Sequence, residues 1–401
     1  MRTILIGAFS LLLSVFVGVS SFGITNANRA AELTSQLSPV SGFASARRAD
    51  LLIAPYATLG GAQKIPQPVE LDISSFSIRA FAEEPFTPSA LRNLALIAEQ
   101  SGQDDLASGL MQEAAKLTRR DVIVNIWRIT QLGKRNNVEE ALQLFDMTMR
   151  GSWAAKDLIL PSLQNGLKDP AFINPMVDVL RKNPRWGSDF WTTIDRFKDS
   201  IPNAGRVRKE LARTGYRNSI ELDQQLLNAL VSFNHFNIAE DVFASLSDNS
   251  SQLTEEQFVR NSDFQYLPVF APFDWEVLTG ANFDARILPG SSALQISSGE
   301  TYDTKLVRQL VKLPGGKLRF LANLEATDSS DGELYVSIYC ADKLSAGDNP
   351  LIIELKDGTT ERDFLNDIAR CNYFWLEIKV RGNTGGTTKD FSVQRLTITP
   401  A

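Results

Sequence analysis

The sequence is poor in the side chains that hold metals and start nucleophilic chemistry. It has one histidine and two cysteines among 401 residues. Multi-histidine metal centres and four-cysteine zinc sites are excluded by count. The single histidine, His235, stands in the turn Asn234-His235-Phe236. Neither Ser232 nor Asp241 completes a nucleophile-elbow pattern around it, so a turn role is expected rather than catalysis. No glycine loop of P-loop or Rossmann form is present. No cofactor or metal is expected. A surplus of positive charge is lacking too: 41 bases face 47 acids, a net of −6, which argues against a nucleic-acid partner. From Asn261 onward 19 acids meet 14 bases, so most of the net negative charge lies in the last third.

Charge is also missing from Thr3 to Asn28, directly after Arg2. The apolar core of this stretch, Ile4 to Ile24, is about long enough to cross a bilayer as a helix. It reads either as a cleaved secretory signal ending at a small-residue site such as Thr25-Asn26-Ala27, or as an uncleaved anchor. Both readings place the remainder outside the cytoplasm, in the cell envelope, on the periplasmic side, inner-membrane-anchored or secreted.

What the chain does contain is ordinary globular material, 43% hydrophobic and 22% charged, enough for two or three domains. The expected division is residues 1–27 as signal or anchor, 28–73 as a partly helical linker, 74–260 as a helical repeat domain and 261–401 as a β-sandwich. Pro55 to Pro68 reads as a loop, and clear helical spacing begins at Pro88 with Leu91, Leu94, Ala95 and Ala98. Gly102 breaks the run before Leu106, Ala107, Leu110, Met111 and Ala114. The pattern recurs after 34 residues: Ala107 matches Ala141, Met111 matches Phe145, and Asn136 takes the turn place of Gly102. A small residue followed one turn later by a large one at this period resembles the tetratricopeptide (TPR) repeat. The usual aromatic is missing at Ala98, and Arg119 stands where a proline is usual. Ala107, Met111, Ala141 and Phe145 are the expected repeat core. Pro175–Lys182, Leu222–Val231 and Ile238–Leu246 continue the helical pattern without the signature, giving a short, degenerate α-solenoid.

From Phe270 the period changes to two. Leu318, Phe320, Ala322 and Leu324 alternate with polar or outward positions. So do Leu334, Val336, Ile338 and Cys340, and so do Phe374, Leu376, Ile378 and Val380. Phe391 and Val393 lose phase with Leu396 and Ile398, which predicts a bulge. About eight strands separated by Gly, Asp and Ser turns predict an antiparallel, jelly-roll-like β-sandwich. The fold class is therefore multidomain α and β: membrane helix, TPR-like solenoid, sandwich. In an oxidising compartment Cys340 and Cys371 are most simply a disulfide, the alternative being two buried thiols. Such a loop would stabilise the module by roughly 3 kcal/mol.

Four short motifs carry a wider resemblance. Pro88-Ser89-Ala90-Leu91-Arg92-Asn93-Leu94-Ala95 opens the first repeat, and Ala114-Ala115-Lys116-Leu117-Thr118-Arg119-Arg120-Asp121 closes it. Pro272-Phe273-Asp274-Trp275 opens the β-module, and a cysteine precedes Phe374-Trp375-Leu376. Together these resemble a group of alphaproteobacterial cell-envelope proteins with an N-terminal membrane segment, TPR-like helices and a C-terminal sandwich like a carbohydrate-binding module. The resemblance implies architecture and compartment and brings no catalytic residues.

Candidate sites follow from alternation. If the apolar sets face inward, Tyr335 and Tyr339 face out on one strand, and Tyr373, Trp375, Glu377 and Lys379 on the other. Were those strands neighbours, the rings would form a platform for the apolar C–H faces of sugars, with charges for their hydroxyls. The alternative is that a loop or the helical domain covers this face. Phe273 and Trp275 are expected to pack between domains. Asp328, Asp331 and Glu333 near Gly332 could hold calcium or simply serve a turn. The expected role is a non-enzymatic scaffold. Its helical repeats would take a protein partner, its sandwich a glycan or protein, and its N-terminus a membrane. Polysaccharide assembly or export is one setting for it. The alternative is a glycan-acting hydrolase using two carboxylates.

Overall fold

The computed structural model describes residues 41–56, 64–152, 155–247, 257–327, 333–342, 350–366, 371–382 and 388–401, with a few isolated positions before 33. The apolar stretch from Ile4 to Ile24 lies almost wholly outside the described residues, as does the acidic turn Asp328–Gly332. Among the described residues no helix is long and apolar enough to cross a membrane.

Among the described residues twelve α-helices precede ten strands. The helices are α1 (Gly42–Ile53), α2 (Gln67–Glu83), α3 (Pro88–Gln100), α4 (Asp104–Leu117), α5 (Val122–Lys134) and α6 (Val138–Gly151). They continue as α7 (Lys156–Gly166), α8 (Ile173–Leu180), α9 (Gly187–Thr193), α10 (Ile201–Arg213), α11 (Ile220–Ser232) and α12 (Phe236–Leu246). The chain divides into two compact units: residues 1–163 with 184–186, and residues 164–183 with 187–401. The boundary expected at 260/261 thus falls inside the second unit.

In the first unit the 34-residue interval survives as structure: α3 and α5 start at Pro88 and Val122, α4 and α6 at Asp104 and Val138. Gly102 and Asn136 take the positive φ that each tight turn needs, as glycine and asparagine do most readily. Ala107, Met111, Ala141 and Phe145 are all buried. One expectation is corrected here. Helix α2 begins at Gln67, inside the stretch read as a loop, because Pro66 and Pro68 sit at the helix start, where a proline's missing N–H costs nothing. A buried cluster ties α1, α3 and α5: Arg92 reaches Asp50 and Asp121 at 2.5 Å each, while Asp121 also caps α5 by accepting from the N–H groups of Ile123 and Val124.

In the second unit α10, α11 and α12 pack together, and Arg208 on α10 holds Asp223 on α11 through two hydrogen bonds of 2.6 and 2.7 Å. The strands are β1 (Glu276–Val277), β2 (Phe283–Leu288), β3 (Ala293–Ser298), β4 (Thr304–Lys312), β5 (Gly316–Thr327), β6 (Leu334–Cys340), β7 (Leu351–Glu354), β8 (Gly358–Asn366), β9 (Tyr373–Val380) and β10 (Lys389–Pro400). They form two five-stranded antiparallel sheets, ordered β1-β4-β9-β6-β7 and β2-β3-β10-β5-β8. The alternating apolar residues of both sheets, including Leu318, Phe320, Val336, Ile338, Leu376, Ile378 and Ile398, make one core. The register of β10 shifts between Val393 and Arg395, so the apolar phase changes there.

Candidate functional site on the outer face of the first sheet

Strands β6 and β9 are antiparallel neighbours, and their register sets the site: Tyr339 lies opposite Trp375, Ser337 opposite Glu377 and Tyr335 opposite Lys379. Because the intervening residues enter the core, these six share the outward face. On the other side of β9, strand β4 puts Lys312, Leu310 and Arg308 opposite Tyr373, Trp375 and Glu377. Cys340 and Cys371 are joined by a disulfide that ties the end of β6 to the segment entering β9.

Half of this face is covered. Helix α12 lies over the Tyr373 end: Phe236 stacks on the Tyr373 ring at 5.3 Å, and the Tyr373 hydroxyl donates to Glu240 at 2.7 Å. Tyr373 is therefore buried and leaves the platform that alternation alone predicts. Burial and the Glu240 carboxylate push its phenol well above the ordinary tyrosine range. Phe273 also meets a helix, stacking on Phe243 of α12 at 5.2 Å. Trp275 does not pack between helices and sandwich. It is buried in the sandwich core against Phe264, and its indole N–H donates to the Asn261 carbonyl.

The other half stays partly open. Trp375, Tyr339 and Lys379 are half-buried, and Tyr335 is more deeply set. Beneath them Glu377 has a side chain only 3% exposed. Its carboxylate accepts from the Tyr339 hydroxyl at 2.9 Å and pairs with Lys305 at 3.3 Å and Lys379 at 2.9 Å. Burial works to raise its pKa, but the Lys379 ammonium, the Tyr339 hydroxyl and Lys305 outweigh it, and the carboxyl is held below its usual range. The same burial and the Glu377 charge push Tyr339 upward. Burial and the acceptor Asp303 push Tyr335 to about 12.

Every ring of this face has a cation over it: Arg308 over Trp375 at 4.4 Å, Lys379 over Tyr339 at 5.9 Å, Arg381 over Tyr335 at 5.6 Å and Lys312 over Tyr373 at 5.4 Å. Such pairs hold both partners in place. Lys305, Arg308 and Arg381 escape a reading by alternation. In β4 the apolar doublets Leu306-Val307 and Leu310-Val311 look helical rather than strand-like. The register shift between Lys305 and Val307 creates the first doublet. Leu310 points outward yet is buried. The signal was the pairing of opposite charges across strands, which becomes visible only once β4 is laid beside β9.

Of the remaining candidates, Asp328 and Asp331 lie outside the described residues. His235 stands just before α12, and burial with nearby Lys198 and Arg206 lowers its pKa. Glu333 pairs with Lys389. Among the described residues no group of three or more His, Cys, Asp or Glu side chains is arranged to hold a metal. The opposite sheet has a depression of about 350 Å³ lined by Asp284, Arg286, Gln295, Glu325, Asp390 and Ser392. Its polar lining is three carboxylates, one guanidinium, one amide and two hydroxyls, and Phe391 is the one ring among the lining residues.

No family model matches the chain, and no curated protein matches it. Solved structures do match the C-terminal sandwich. One is TmCBM61 in complex with beta-1,4-galactotriose, 14% identical, covering 37% of this chain and 100% of that one, with a TM-score of 0.27. Another is a family 11 carbohydrate-binding module from Clostridium thermocellum in complex with a beta-1,3-1,4-mixed-linked tetrasaccharide, 15% identical, covering 38% and 98%, with a TM-score of 0.24. A third is described as CBM4, 14% identical, covering 36% and 99%, with a TM-score of 0.28.

Proposed function

We propose that the sandwich is a glycan-binding module, and that the protein works as a non-enzymatic scaffold in an oxidising compartment outside the cytoplasm, its helices meeting a protein partner. The observation that carries the glycan reading is the pairing of half-buried Trp375 and Tyr339 directly across β9 and β6, beside a fixed array of ammonium and carboxylate groups. Rings offer an apolar surface to sugar C–H faces, and the charged groups offer strong hydrogen bonds to hydroxyls. Binding fits this face better than hydrolysis does. Glu377 is buried, ionised and already engaged by two lysines and a phenol, whereas a general acid needs a raised pKa and a proton to give. The disulfide supports the compartment, since such bonds persist where conditions are oxidising.

The test is a glycan-array screen of the full chain beside Trp375→Ala and Arg319→Ala, the latter on the opposite sheet. Trp375→Ala should weaken binding on the order of 30-fold, the ~2 kcal/mol of a buried aromatic anchor, while Arg319→Ala should bind like the parent. Binding by none of the glycans, or equal binding by Trp375→Ala, overturns the proposal.

A further inference from the structure

The ion pairs of the aromatic face do not balance at its centre. Three of its cations each have a carboxylate of their own: Arg308 has Glu276, Lys312 has Glu240 and Arg381 has Glu354. Glu377 is shared by two lysines, Lys305 and Lys379. That cluster therefore keeps one positive charge in excess. Asp303, just before β4, accepts from the Tyr335 hydroxyl and the Gly382 N–H. These neutral donors leave its charge in place, so the excess is local to Glu377 and its two lysines rather than a property of the whole face.

The geometry shows which way the excess charge points. Glu377 lies beneath the surface at 3% exposure, and the two lysine side chains are 33% and 26% exposed. Each ammonium has three donors. One is turned inward to Glu377, which leaves the others for solvent or a ligand. The buried carboxylate thus fixes two lysines side by side, next to Trp375 and Tyr339. A neutral sugar would use such donors only as hydroxyl partners, for which one lysine or an amide suffices. A carboxylate on the sugar ring would use both, with charge assistance, and would neutralise the excess.

We infer that the glycan is acidic: a polysaccharide bearing ring carboxylates, with the uronate seated between Lys305 and Lys379 and an adjoining sugar against Trp375 and Tyr339. This rests on the glycan-binding reading of the same face. The net charge of −6 opposes unspecific attraction of polyanions, so binding of one would have to come from a local site of this kind.

The experiment compares polygalacturonate, alginate and hyaluronate with the same polymers after reduction of their carboxylates to primary alcohols, using the full chain and isothermal titration at low salt. At least one native polymer should bind tenfold or more tightly than its reduced form, and sodium chloride should weaken it. The double variant Lys305→Gln/Lys379→Gln should lose that preference, binding native and reduced polymers alike. Trp375→Ala should lose both. Equal affinity of parent protein for native and reduced polymers, or binding confined to neutral glycans, overturns the acidic-ligand inference and leaves the glycan reading standing. Binding to no polymer, acidic or neutral, overturns both.

Discussion

On one outer face of the sandwich a single carboxylate, Glu377, sits 3% exposed between Lys305 and Lys379 and under a tyrosine hydroxyl. On the other, Arg319 reaches Asp363 at 2.8 Å and Glu361 at 3.1 Å, with all three side chains 45–58% exposed. Both clusters are built from charges on adjacent strands: Arg319 lies directly across from Asp363, whereas Glu377 pairs with Lys379 two residues along its own strand and with Lys305 diagonally across β4. They differ in what covers them. Rings roof the first, and water surrounds the second. Identical ionic chemistry therefore means a preorganised site on one face and an ordinary solvated surface on the other.

The largest effect on this contrast should come from the disulfide, because it secures β6 to the approach of β9, the two strands that carry Tyr339 and Trp375. Replacing both cysteines by serine should lower the stability of the sandwich by about 3.7 kcal/mol, the chain-entropy value for a loop of 31 residues. Denaturant unfolding followed by tryptophan emission would measure it. The binding-face variants should weaken with it, since register between Tyr339 and Trp375 depends on the same strand pair. A loss of stability with unchanged glycan binding would show that the sheet holds the face without the bond.

Second in size is Glu377→Gln, expected to cost about 2 kcal/mol at neutral pH through loss of charge-assisted hydrogen bonds. Its pH dependence identifies the cause. The Glu377 carboxyl is lowered from its usual 4.5 in the folded protein. Its contribution is therefore fully present above pH 4.5 and is lost as pH falls through the lower folded-state value. The gap between parent and Glu377→Gln in thermal midpoint should close below pH 4.5. A gap that persists unchanged at pH 3 would mean that shape, not charge, is responsible.

How far these features could be read from sequence follows from periodicity. The alternation in β6 and β9 is clean, so Tyr335, Tyr339, Trp375, Glu377 and Lys379 are legible as one face, and the bulge in β10 shows as a phase change between Val393 and Leu396. The helical hairpins α3–α4 and α5–α6 announce themselves through Ala107, Ala141, Gly102 and Asn136. Strand β4 does not, because its bulge and the outward burial of Leu310 give it a helix-like apolar spacing. With it, Lys305 and Arg308 stay hidden, and so does the excess charge. The burial of Tyr373 is equally invisible, since it depends on Phe236, Asn237 and Glu240 of a helix more than a hundred positions earlier. Local pattern reports which way a side chain points, and only the tertiary fold decides what meets it there.

The smallest expected effect sharpens the comparison from the other side. The Arg319 cluster has geometry at least as good as that of Glu377, with two hydrogen bonds to Asp363. Asp363 is lowered from its usual value by that hydrogen bond, and Arg319 is raised by it. Both groups stand in water, where the attraction is screened and two flexible side chains lose freedom to make it. Asp363→Asn should therefore leave the thermal midpoint unchanged within error at physiological salt, and any small loss at low salt should vanish as salt is added. Glu377→Gln should keep its deficit across the same salt series, because its partners are covered by protein rather than by solvent. If Asp363→Asn proved as costly as Glu377→Gln at high salt, burial would not be what separates the faces, and the preorganisation of Lys305 and Lys379 would need another source.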